Sequence, residues 1–187
     1  MNMEKKKVLC IIGHSGSGKT TIEELLVKTF PMHFQRVVSY TTRPKREGET
    51  NGWEHYFVGK DQAPTNKDVL AYTKYGEYEY WALPGNLVTG RINTYVIDVE
   101  GYEYLREFYG DELEIRVMYV KRTHRKNIDQ ERADRDRGRI QLQPDEIDMV
   151  LRNEGGISDL IANVQNNIFD YIMSIFNENT VARQSNE

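Results

Sequence analysis

Cysteine is almost absent from this 187-residue chain: Cys10 is the only one, which excludes an internal disulfide and any cysteine-ligated zinc cluster. It lies in the apolar run 8–12 and reads as a buried, inert thiol. Long hydrophobic runs are missing too, and nothing approaches the roughly 18 consecutive apolar residues of a membrane span. The basic start, Met1-Asn2-Met3-Glu4-Lys5-Lys6-Lys7, precedes an apolar run too short for the core of a secretory signal. The expectation is therefore a cytoplasmic protein. An excess of positive charge is also lacking: the net charge is −4, which argues against a nucleic-acid coat or a membrane-surface protein. No nucleic acid and no membrane are expected as partners. What is present, 39% hydrophobic and 29% charged residues with a mean hydropathy of −0.69, is enough for one soluble domain with a core.

Strand and helix patterns alternate along the chain. Lys7-Val8-Leu9-Cys10-Ile11-Ile12 is continuously apolar after its lysine, as expected of a strand buried on both faces. Ile22, Leu25, Leu26 and Phe30 then recur at helical spacing until Pro31. Val37-Val38 starts a second strand, residues 94–99 form a third and 115–120 a fourth, with helices over 101–108 and 123–136. Pro144 opens a further helix, residues 160–164 are a fifth strand, and 168–176 form a closing helix with Ile168, Ile172 and Ile175 on one face. This rhythm predicts an α/β fold, a five-stranded parallel sheet flanked by helices. Residues 40–82 break it with turn signals and six tyrosines (Tyr40, Tyr56, Tyr72, Tyr75, Tyr78, Tyr80), and read as a small antiparallel insertion. The expected division is a core of 5–39 and 93–176, an insertion of about 40–82 and a polar tail over 177–187.

Gly13-His14-Ser15-Gly16-Ser17-Gly18-Lys19-Thr20 fits GxxxxGK[ST] without mismatch, between a buried strand and an amphipathic helix. Glycines let such a turn curl so that successive N–H groups face phosphate oxygens, and the helix N-terminus adds its dipole. This predicts a nucleoside triphosphate site of Gly13, Ser15, Gly16, Ser17, Gly18, Lys19, Thr20 and Thr21. Lys19 is its point charge on the β/γ-phosphates, and the Thr20 hydroxyl is a Mg²⁺ ligand. Asp98, ending the third strand, falls at the carboxyl edge of the sheet where such ligands bind. It is the second candidate Mg²⁺ residue, through water, with helix capping as the other role open to it.

Further on, Val38-Ser39-Tyr40-Thr41-Thr42-Arg43-Pro44-Lys45-Arg46-Glu47-Gly48-Glu49 sets two arginines three apart beside hydroxyls. Guanidinium forks bind phosphate bidentately, so this is a candidate second anion site as well as a plausible solvated basic loop. Ser-x-Thr-Thr-Arg followed by Arg-x-Gly-Glu-x-x-Gly and the Phe57-Val58 strand resembles guanylate kinase, one of the nucleoside monophosphate kinases. The resemblance covers roughly residues 7–175. It implies a P-loop kinase fold in which the insertion binds the monophosphate. Ser39, Arg43, Arg46, His55, Tyr56 and Tyr80 are the implied contacts, and Glu100 lies near the base and ribose. It also implies a lid over about 132–145 whose Arg132 and Arg137 fold over the transferring group. Arg152 is then a further phosphate contact and Asn166 a neighbour of the adenine.

The resemblance has departures. The family tyrosine that contacts the phosphate falls on His55. The family acid that reads the guanine N1 and N2 donors falls on Ala71, and its base-reading Ser/Thr falls on Ala82. Either Glu77, Glu79 or Glu100 supplies an acceptor, or the base is not guanine. The expected activity is Mg²⁺-dependent transfer of the ATP γ-phosphate to GMP or dGMP, by a monomer or homodimer. The alternatives are a kinase of another monophosphate or phosphorylated acceptor, and a non-catalytic binding module of the same fold.

Overall fold

The computed structural model describes residues 4–65, 68–123 and 142–184. Its first strand, β1 (Lys6–Ile12), is the apolar run, and Val8, Leu9, Cys10 and Ile11 are fully enclosed. After the glycine turn comes α1 (Lys19–Thr29), then the short strands β2 (Phe34–Arg36), β3 (Ser39–Thr41) and β4 (His55–Phe57). The antiparallel pair β5 (Ala71–Tyr75) and β6 (Tyr78–Ala82) follows. Next are β7 (Ile92–Val96), α2 (Val99–Tyr109), β8 (Leu113–Lys121) and β9 (Met149–Arg152). The chain closes with α3 (Ile157–Asn163), a π turn over Val164–Ile168, and α4 (Phe169–Gln184).

Five strands form one parallel sheet in the order β2-β7-β1-β8-β9. Parallel strands need crossovers, so helices cover the sheet and both of its faces are apolar. One core layer joins Val8, Cys10 and Ile12 to Tyr102 and Leu105 of α2; the other joins Leu9 and Ile11 to Ile22 and Leu26 of α1 and to Ile168 and Ile172. The parallel arrangement sends every strand's carboxyl end to the same edge, and β1 has a later strand on each side. The crevice at such a reversal of strand order is where open α/β sheets bind ligands.

A second sheet, β4-β3-β6-β5, holds the insertion. It is mixed rather than antiparallel, because β3 and β4 pair in parallel across a 13-residue connection (42–54) that no tight hairpin could make. Two further expectations are corrected. Residues 160–164 are helical: Leu160, Val164, Ile168 and Ile172 are buried at intervals of four, one helix stripe that a short window reads as a separate strand. The fifth strand is β9, and Pro144 opens only one 3₁₀ turn, Pro144–Glu146. The tail is helical as far as Gln184, in a segment free of glycine and proline. The expected helix over 123–136 lies, apart from Thr123, outside the described residues.

Candidate active site

The turn after β1 curls because glycine permits it. Gly16 (φ 72°) and Gly18 (φ 97°) occupy left-handed backbone. A Cβ on Gly18 would lie 2.3 Å from Nδ2 of Asn153, which follows β9. That same Nδ2 donates to the Ser17 carbonyl at 2.8 Å, while the Asn153 N–H donates to the Lys121 carbonyl at 2.9 Å. The loop is thus braced from the far strand by a buried side chain. Lys19 Nζ donates to the carbonyls of Gly13 (2.8 Å) and His14 (2.9 Å), which holds the ammonium across the loop. No side chain caps α1 at Gly18, so its first N–H groups face the turn as a ready anion site.

Opposite stands one face of the second sheet. Strand alternation and register bring Ser39, His55, Tyr80 and Thr73 to the same side as Ala71. Ser39 Oγ and His55 Nδ1 are 2.8 Å apart; with the hydroxyl donating, Nε2–H is the imidazole's remaining donor. Burial, joined by the fields of Arg43, Arg36 and Arg46, pushes His55 down to about 4, so the ring is neutral near pH 7. Arg43 is buried and clasped by Glu49, with Nη2–Oε1 at 2.8 Å and Nη1–Oε2 at 3.0 Å. Burial opposes its charge, but Glu49 and Tyr80 outweigh it and raise the guanidinium above its ordinary range. Glu49 also accepts from the Arg46 N–H at 2.7 Å, and these contacts hold its carboxyl below the usual range despite burial.

Between the two sheets lies a cleft of about 300 Å³. Ser15, Gly16, Lys19 and Thr20 line one wall, Ser39, Arg43, Arg46, His55 and Tyr80 the other, and Asp98 lies between. Asp98 caps α2: its Oδ1 accepts from the Gly101 N–H and from Thr73 Oγ1, both at 2.8 Å. No cluster of three or more acidic, histidine or cysteine side chains able to hold a metal exists among the described residues.

The chain as a whole finds matches among known proteins. The family model described as "Guanylate kinase" matches residues 5–179. The chain belongs to the guanylate kinase family. A guanylate kinase of Lactobacillus acidophilus is 30% identical over 180 residues, covering 88% of this chain and 87% of its own length. One from Helicobacter hepaticus is 34% identical over 117 residues, but the match spans only 58% of each protein. The crystal structure of guanylate kinase from Anaplasma phagocytophilum superposes with a TM-score of 0.62 over 91% of this chain and 87% of that one, at 17% identity, which speaks to the fold.

Several residues that guanylate kinase resemblance singled out sit elsewhere. Tyr56 does not line the cleft: alternation turns it to the other face of β4, where its ring lies 4.9 Å from that of Tyr40. Glu100 is exposed on the first turn of α2, away from the cleft lining. Glu77 pairs with Lys60 at the surface, and Glu79 accepts from Tyr72 Oη at 3.0 Å, so neither faces the cleft. Ala71 lines it and Ala82 pairs with Ala71 just behind. Arg152 ends a strand, not a helix, because the run 149–151 extends the parallel sheet; it is exposed outside the lining. Asn166 is exposed on the π turn. The lid residues Arg132 and Arg137 lie outside the described residues. Gly13, Ser17, Gly18 and Thr21 shape the loop and the start of α1 without lining the cleft themselves. Conversely, Glu23, Arg36 and Thr73 line it, although no motif marks them.

Proposed function

We propose that this chain transfers the γ-phosphoryl group of ATP to the phosphate of a nucleoside monophosphate, with GMP or dGMP as acceptor. The observation supporting this reading is that Lys19 and Thr20 share one cleft with Arg43, Arg46 and Ser39. An acceptor phosphate oxygen is already anionic, so no general base is needed. The task is to align and neutralise two anions. Loop N–H groups and Lys19 hold the donor phosphates; Arg43, Arg46, Ser39, neutral His55 and Tyr80 hold the acceptor phosphate. Thr20 and Asp98 are the residues that would hold Mg²⁺, which would supply charge neutralisation for the donor phosphates. Acceptor binding draws the 40–82 insertion towards the core, excluding water from the transfer.

Guanine presents N1–H and N2–H₂ donors that need acceptors. With alanine at 71 and 82 and none of Glu77, Glu79 or Glu100 in the cleft, the Thr73 hydroxyl oxygen is the acceptor beside Ala71. A second reading, another base or phosphorylated acceptor, rests on that same shortage. A coupled assay with ATP and each nucleoside monophosphate separates them. GMP should be preferred by more than about tenfold, roughly 1.4 kcal/mol. A smaller preference overturns the guanine assignment, and no turnover with any monophosphate overturns the kinase reading in favour of a binding module.

A further inference from the structure

The lining of the cleft includes a charged pair outside every motif. Glu23, one turn into α1, meets Arg36, the last residue of β2, with Nε–Oε2 at 2.7 Å. The Glu23 side chain is 1% exposed and that of Arg36 9%, and both line the cleft. Arg36 Nη1 is enclosed and has no hydrogen-bond acceptor among the described residues. Enclosed donors of this kind nearly always have partners, so an orphan in a ligand cleft points to the ligand. The guanidinium is also held in place: Glu23 fixes its Nε, and the Trp53 ring lies 5.0 Å from its Cζ. Trp53 is itself tied down by donating Nε1 to Glu24 Oε1 at 3.1 Å.

The neighbouring Arg43 is less available. Its Nη1 serves the Pro44 carbonyl and Glu49 Oε2, and its Nη2 serves Glu49 Oε1. A phosphate dianion offers three oxygens and more lone pairs than this fork has N–H groups to spare. Arg36 lines the same cleft as Arg43, Arg46 and His55.

We propose that Arg36 is a third guanidinium for the acceptor's phosphate, with Nη1 donating to a phosphate oxygen and Glu23 acting as its positioning residue. This rests on the reading of the cleft as a phosphorylated-acceptor site.

The test uses the full chain as wild type, R36K, and the double variant E23Q/R36M, which removes both charges so that neither is left buried alone. Steady-state kinetics give KM for acceptor and for ATP. Inorganic phosphate is titrated separately in a W81F background, where Trp53 is the sole tryptophan and reports binding by fluorescence. The double variant should raise the acceptor KM and weaken phosphate binding by roughly tenfold or more, with the ATP KM and kcat within about threefold and R36K intermediate. Unchanged acceptor KM and phosphate affinity overturn the proposal. So does an equal rise in both KM values without rescue by R36K, which marks a structural brace. If the double variant does not fold, R36K alone decides: a raised acceptor KM at constant ATP KM supports the assignment, and an unchanged one overturns it. If wild type phosphorylates no monophosphate, the reaction assignment fails, while the phosphate titration still decides Arg36.

Discussion

Lys19 reaches two carbonyls of its own loop, which hold its ammonium across the turn. Replacing it removes the charge that the proposed transfer places on the donor phosphates. K19A should therefore lower kcat on the order of 100- to 1000-fold while the thermal midpoint stays within a few degrees. A coupled assay beside a melting curve checks both, and an unchanged rate refutes catalysis at this loop. His55 yields a prediction about pH. Its folded value of about 4 lies below the 6.5 of an open imidazole, so the unfolded chain binds the proton more readily. Stability from this residue is complete above pH 6.5 and is lost as pH falls towards 4. Glu23 acts the other way: burial raises it to about 7, so its contribution falls as pH rises from 4.5 to 7. Comparing wild type with H55N cancels that opposing slope. Urea unfolding at pH 7.5 and 4.5 should show wild type losing about 2–3 kcal/mol more than H55N. Equal losses would show that the imidazole is not held neutral.

Elements explain which parts of the pattern were legible. The buried run of β1, the eight-residue loop and the periodic face of α1 are consecutive in sequence, and each carries its signal locally. The side Tyr56 takes is not legible in sequence, because a motif fixes spacing but not which side of a strand faces the ligand; that is set by the pairing of β4 with β3. The stripe Leu160–Ile172 reads as two elements in sequence because a window of five residues covers only two of its buried positions. Asn153 carried no local signal either, since its partners, Ser17 and Lys121, are distant in sequence. N153A leaves the Ser17 carbonyl without its donor, which should cost about 1–2 kcal/mol in stability and raise the ATP KM several-fold, with the acceptor KM little changed. Chemical denaturation and separate titrations of the two substrates test this.

At the scale of the molecule, alternation of strand and helix was sufficient to give a parallel sheet with its ligand edge at the strands' carboxyl ends. The composition of the cleft was not sufficient to follow. Arg36 and Glu23 look like ordinary charged residues of a short strand and a helix until α1 packs on β2 and encloses both. Asp98 binds the two sheets together mechanically. One oxygen receives the Thr73 hydroxyl from the second sheet and the Gly101 amide from α2, so the second sheet cannot swing outward without first tugging on that helix end. The Gly101 amide is consequently a built-in strain gauge. Its hydrogen–deuterium exchange should slow when a monophosphate draws the sheets together and speed up in T73A. An unaltered rate in T73A would mean that the two halves move without this tether.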